Sequence, residues 1–105
     1  MFSGGDYPEV ARWLANFVLS HAKRENLRVE AALDAEGVRE GNSYGVRLRL
    51  GELLAPPAGQ PPLELSFGEV AAGRGSLAWC SALAARVRAL ARDLSAGDRG
   101  SIKSA

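Results

Sequence analysis

The side chains with most chemistry to offer in this 105-residue chain are one cysteine, one histidine and a scatter of basic residues. Cys80 falls in the first turn or so of the last helical segment, a position that can favour thiol reactivity. It also lies on that segment's apolar seam, where a cysteine serves as a small hydrophobe. His21 closes the apolar stripe of the first helical segment, with no second histidine spaced to share a metal. Gly73-Arg74-Gly75-Ser76 leads into the last helix. Outward N–H groups and the helix dipole favour a phosphate or carboxylate there, and Arg74 adds charge. The same residues also make an ordinary turn with a serine cap. Arg88 and Arg92 stand one helical turn apart, a like-charge pair that suits either an anionic partner or the dipole of a helix C-terminus. Lys23 and Arg24, with Arg28 nearby, form a further basic group. No polar residues have nucleophile, base and oxyanion spacing. No catalytic residue, metal ligand set or cofactor is expected.

Trp79 carries a different chemistry. It lies off the Cys80–Leu83–Val87 seam, on the flank that also holds Ala82 and Arg86. A tryptophan there either extends the core or anchors an interface. Ala82, Ala85 and Ala89 would let another backbone approach closely. Trp79, Ala82 and Arg86 are therefore the expected protein interface, with a second copy of the chain as one partner to consider.

The elements that must position these residues are legible in the pattern. Asp6 and Glu9 have capping-box spacing, with Pro8 in the first turn. Val10, Trp13, Leu14, Phe17, Val18 and His21 then form one stripe at helical spacing. The run 27–34, LRVEAALD, alternates as a strand with Leu27, Val29, Ala31 and Leu33 inward. EGVREGNS reads as a turn. YGVRLRLGEL is a second strand with Val46, Leu48 and Leu50 inward. APPAGQPP cannot be regular structure, and with no apolar anchor it is expected to tolerate shortening. LELSFGEV is a third strand with Leu63, Leu65 and Phe67 inward. Ser76 caps the last helix, whose seam is Cys80, Leu83, Val87, Leu90 and Leu94. Gly97 is the expected stop, and about 96–105 a mobile tail.

The simplest assembly is an α+β fold, an αβββα two-layer sandwich: a three-stranded antiparallel meander with both helices on one face, forming a single domain over 1–105. With the second strand central, Arg47 and Arg49 lie between Glu30 and Glu64, so cross-strand pairing accounts for the arginines. The order is similar to that of the double-stranded-RNA-binding domain, in which a glycine-containing turn such as AAGRGS also leads into the second helix. That resemblance implies a shape-reading RNA surface held by phosphate contacts. The family's lysine cluster at the start of that helix is SLAWCSALA here, and its histidine-bearing loop is EGVREGNS.

Composition bounds the rest. The net charge of +1, with 47% apolar and 24% charged residues, sets up no broad field toward nucleic acid or an anionic membrane. One cysteine fits a reducing cytosol. The start MFSGGDYPEV has neither the basic nor the apolar region of a leader, and no apolar run reaches a membrane span of ~18 residues. The expected function is a small cytosolic, non-enzymatic protein-interaction module. The alternative is nucleic-acid or anion binding through Lys23, Arg24, Arg28, Arg74, Gly75 and Ser76.

Overall fold

The computed structural model describes the backbone of residues 6–104 and the side chains of residues 6–97. The fold is α+β with an antiparallel sheet. The order is α1 (Tyr7–Ala22), β1 (Glu30–Asp34), a 3₁₀ turn (Gly37–Arg39), β2 (Ser43–Leu50), β3 (Leu53–Ala55), β4 (Leu63–Ser66), α2 (Phe67–Gly73) and α3 (Leu77–Ser104).

The first helix starts as its sequence dictates. The Asp6 carboxylate accepts the Glu9 N–H at 2.9 Å, and Val10, Leu14, Val18 and Ala22 bury one stripe. Trp13 and Phe17 flank that stripe, half-buried. Tyr7 adds a contact that spacing alone does not show. Its ring stacks on Tyr44 with centroids 4.6 Å apart. Its hydroxyl lies among the carbonyls of Ala35, Arg39 and Ser43, while the Tyr44 hydroxyl donates to Tyr7 O at 2.8 Å.

β2 is the central strand. Along one side it pairs with β1, from Glu30 opposite Arg49 to Asp34 opposite Gly45. Along the other side, Leu48 faces Ala55 of β3 and Val46 faces Leu63 of β4. Where one residue would face Arg47, the seven residues 56–62 do. The expected meander of three strands is thus a sheet of four. The proline-rich stretch is an excursion within one edge, not a link between two strands. The physical reason is Gly51, whose φ of +64° makes a two-residue turn with Glu52 and ends β2 at Leu50.

Three further boundaries differ from expectation. β1 starts at Glu30, not at 27, and Leu27 is exposed, because the chain leaving α1 is still turning, with Asn26 O accepting the Val29 N–H at 3.1 Å. β4 stops at Ser66 instead of running to Val70. Ser66 Oγ accepts the Glu69 N–H at 3.0 Å, and the Glu69 carboxylate accepts the Ser66 N–H at 3.1 Å. This reciprocal cap starts α2 and outweighs the alternation that suggested a strand. Gly97 does not stop α3, which continues to Ser104. An interior glycine costs only ~1 kcal/mol relative to alanine, and no proline follows it. The expected tail is therefore helical backbone to Ser104; Ala105 lies outside the described residues.

One sheet face is the core wall. Tyr44, Val46, Leu48 and Leu50 of β2 and Leu63 and Leu65 of β4 meet α1 and the Leu83, Val87, Ala91, Leu94 stripe of α3 in a single cluster. Each fully buried aliphatic side chain there is worth roughly 1.5–3 kcal/mol of transfer free energy. Both long helices thus cover the same face, as the alternation requires.

The opposite face is polar. Arg49 pairs with Glu30 as the charge pattern suggests. Arg39 reaches Asp34 on β1 and Glu64 on β4, at 2.8 Å each. It crosses Gly45, where an added Cβ would lie 2.8 Å from Arg39 Nε. Arg47 has no acidic partner in the sheet, contrary to the cross-strand expectation. Its guanidinium donates to Pro56 O and Pro57 O at 2.8 Å and to Gln60 O at 2.7 Å. The excursion is therefore clamped, and the expectation that it tolerates shortening is revised. Arg47→Ala should cost about 1–2 kcal/mol, since charge-assisted bonds to partly hydrated carbonyls are lost. Deleting 57–59 should lower stability in the parent but add little to Arg47→Ala. Denaturant midpoints of the four species form the cycle that checks this; full additivity would show that Arg47 does not hold the loop.

Candidate protein-docking groove

α3 lies along the edge of the sheet formed by β4 and β3. Its apolar stripe is turned into the core, which leaves the flank carrying Trp79, Ala82, Arg86, Ala89 and Asp93 beside that edge. Three depressions follow one another there. Leu65, Glu69, Trp79, Ala82, Leu83 and Arg86 line the first, of about 180 Å³. Arg86, Ala89 and Leu90 form the helix side of the second, of about 410 Å³, opposite Leu63, Glu64 and the prolines 56 and 62. The third, of about 370 Å³, runs from Leu90 to Gly97 opposite β3. Arg86 borders the first two, and Leu90 and Pro56 border the last two, so they form one groove. At 1.5 Å per residue, Trp79 to Gly97 spans about 27 Å, the length of roughly eight extended residues.

Trp79, Ala82 and Arg86, the residues expected to form an interface, thus come together at one end of this groove. Trp79 also completes the core. It is half-buried against the cluster, its ring lies over Gly73, and its centroid is 6.3 Å from that of Trp13. Its Nε1 is 3.5 Å from Glu69 Oε2. Ala82 and Arg86 are exposed.

The sheet wall of the groove has open backbone groups. Phe67 N–H bonds Asn42 O at 2.8 Å. Alternation in an antiparallel ladder then makes Tyr44–Leu65 and Val46–Leu63 the hydrogen-bonded pairs. Glu64 and Ser66 therefore turn their N–H and C=O groups away from β2. The Ser66 N–H is taken by Glu69. Glu64 remains with both groups directed to the open edge. This edge was not foreseen from sequence, because it depends on which strand is last in the sheet.

The other candidate residues fall elsewhere. The Arg74, Gly75 and Ser76 N–H groups bond Val70 O, Ala72 O and Gly73 O, so they close α2 instead of pointing at an anion. Ser76 Oγ accepts the Trp79 N–H at 3.2 Å, the cap expected of it. Lys23, Arg24 and Arg28 lie at the far end of the molecule, near the Asn26–Ser95 hydrogen bond; Lys23 Nζ donates to Leu27 O at 2.6 Å. The nineteen steps from Ser76 to Ser95 separate the two basic groups by about 28 Å along α3. Arg88 and Arg92 both bond Glu25, at 3.2 Å, and so are partnered within the chain. Cys80 Sγ is half-buried, 3.5 Å from Gly73 O.

Two of these groups make stability depend on pH. Burial, then Arg24 and Arg88, hold His21 below its ordinary pKa, and its Nδ1 is buried without a partner. The unfolded chain therefore takes up the proton first. Stability present above about pH 6.5 should fall as the pH drops below it. The Arg88 hydrogen bond, with Arg92, holds Glu25 below its ordinary value, so a second loss should follow below about pH 4.5. His21→Phe, which keeps the ring beside Phe17, should remove the first loss and leave the second. Denaturant midpoints from pH 8 to pH 3 measure both.

Among the described residues no helix is long and apolar enough to cross a membrane, and no group of three or more His, Cys, Asp or Glu is placed to hold a metal. No protein-family model, curated protein or solved structure matches the chain.

Proposed function

We propose that this chain is a small non-enzymatic protein-interaction module that docks its partner in the groove between α3 and the β4 edge. The observation that carries the reading is the meeting of Trp79, Ala82 and Arg86 in one depression beside an open strand edge. Apolar floor, aromatic anchor and polar rim are the anatomy of an interface with a central hot spot. The free, half-buried Cys80 suits a reducing cytosol, where we place the module.

A photoreactive benzoylphenylalanine at position 82 tests this in cells producing the chain. A discrete protein adduct should form from position 82 and not from position 24, which lies by the opposite flank of α3, where Glu25 pairs with Arg88 and Arg92. An adduct of twice the chain mass would make the partner a second copy, and light scattering would then show a concentration-dependent mass. Adducts from position 24 alone, or a salt-sensitive shift with duplex RNA lost on Lys23→Glu/Arg24→Glu, would overturn the reading in favour of nucleic-acid binding.

A further inference from the structure

The groove carries two charges that the fold leaves without ion pairs. Among the described residues, Arg86 and Asp93 have no ion-pair partner, while Glu64 is held by Arg39 and Ser43 and Glu69 caps α2. Arg86 and Asp93 are seven residues apart on α3, which places them on the same helix face about 10 Å apart. Arg86 stands where the first depression meets the second, and Asp93 lines the third. Beside Arg86, the Glu64 N–H and C=O present the open edge.

Resting on the docking reading above, we infer that the occupant is an extended segment of a partner protein with an acidic residue and, two or four positions away on the same strand face, a basic one, set between apolar residues. The segment adds as a short strand to Glu64, the mode in which main-chain bonds give affinity and side-chain pockets give specificity. Its apolar side chains enter the depressions floored by Leu65, Ala82 and Leu90. Its carboxylate meets Arg86 and its cation meets Asp93. The two opposite charges fix which way the segment runs, because the reversed orientation sets like charge against like.

A displayed library of random twelve-residue peptides, selected separately on the parent chain and on Arg86→Glu/Asp93→Arg, tests this. Both substitutions are at exposed positions, and a circular-dichroism melt confirms folding of the variant. The parent should enrich peptides with an acid and a base two or four positions apart. The charge-swapped variant should enrich the same apolar spacing with the charges exchanged, and cross-binding should fall at least tenfold. Peptides that bind parent and swapped variant alike, but lose binding on Ala82→Glu, would overturn the charge inference and leave the groove reading intact. Peptides that bind Ala82→Glu undiminished, or no enrichment at all on the parent, would overturn the groove as the docking site.

Discussion

Truncation of Tyr44 to alanine should lower the stability of the chain by about 3–5 kcal/mol, the range for removing a fully buried aromatic ring. Tyr44 has no exposed surface. It stacks on Tyr7, and its hydroxyl satisfies Tyr7 O. Tyr7 in turn reaches the carbonyls of the β1–β2 connection. Loss of one ring therefore loosens α1, β2 and that connection together. Tyr44→Phe keeps the ring and should cost only about 1 kcal/mol, for one hydrogen bond lost to a carbonyl that keeps its place in the helix ladder. The same variant has a signature at high pH. Burial, with Tyr7 next to it, pushes the Tyr44 pKa up to about 12. The unfolded chain gives up that proton near pH 10, so stability present below pH 10 is lost as the pH rises toward 12. Urea midpoints at pH 7 and pH 11 should show a smaller alkaline loss in Tyr44→Phe than in the parent. An equal loss would mean that Tyr44 is not the group responsible.

Gly73→Ala should destabilise by about 1–3 kcal/mol, although helix propensity alone gives a gain of ~1 kcal/mol. The sign is reversed by Trp79, because a Cβ at Gly73 would lie 2.2 Å from Trp79 Cδ2. That atom belongs to the fused ring and cannot yield without moving the whole side chain. The displaced indole would change the tryptophan emission and distort the Ala82 end of the groove. Trp79→Ala alone should cost about 2 kcal/mol, below the full-burial range because the ring is half-exposed. In that background Gly73→Ala should become neutral or stabilising. Chemical denaturation of the two single variants and the double variant reads the coupling; a penalty for Gly73→Ala that persists without Trp79 would place the strain elsewhere.

Local rules carried α1, β2 and the start of α3, because Asp6, the Val46–Leu48–Leu50 alternation and Ser76 each act within a few residues. The same rules also mark two of the boundaries that differ from expectation. Gly51-Glu52 is a turn, and Ser66 with Glu69 is a cap, but a continuous apolar alternation masked both. Distant pairings were not legible. Nothing near Arg47 in sequence says that it holds carbonyls of residues 56–60 in place of an acid, and nothing near Arg39 says that it lies across Gly45. The candidate site divides in the same way. Trp79, Ala82 and Arg86 are visible as one helix flank, since helical spacing alone brings them together. The wall they face depends on sheet order, and so does the open Glu64 edge.

The clamped excursion also bears on whether copies of the chain would pair edge to edge when crowded. Without residues 56–62, β3 and β4 would form one uninterrupted outer strand with Leu54 and Glu64 both turned outward, a flat template on which further copies could pair indefinitely. The prolines cut that template into lengths of three and four residues, shorter than the six- or seven-residue segments that sustain amyloid ladders. The open edge that remains is too short to seed a fibre. Replacing the excursion by a single residue should therefore favour aggregation even if the hairpin itself becomes more regular.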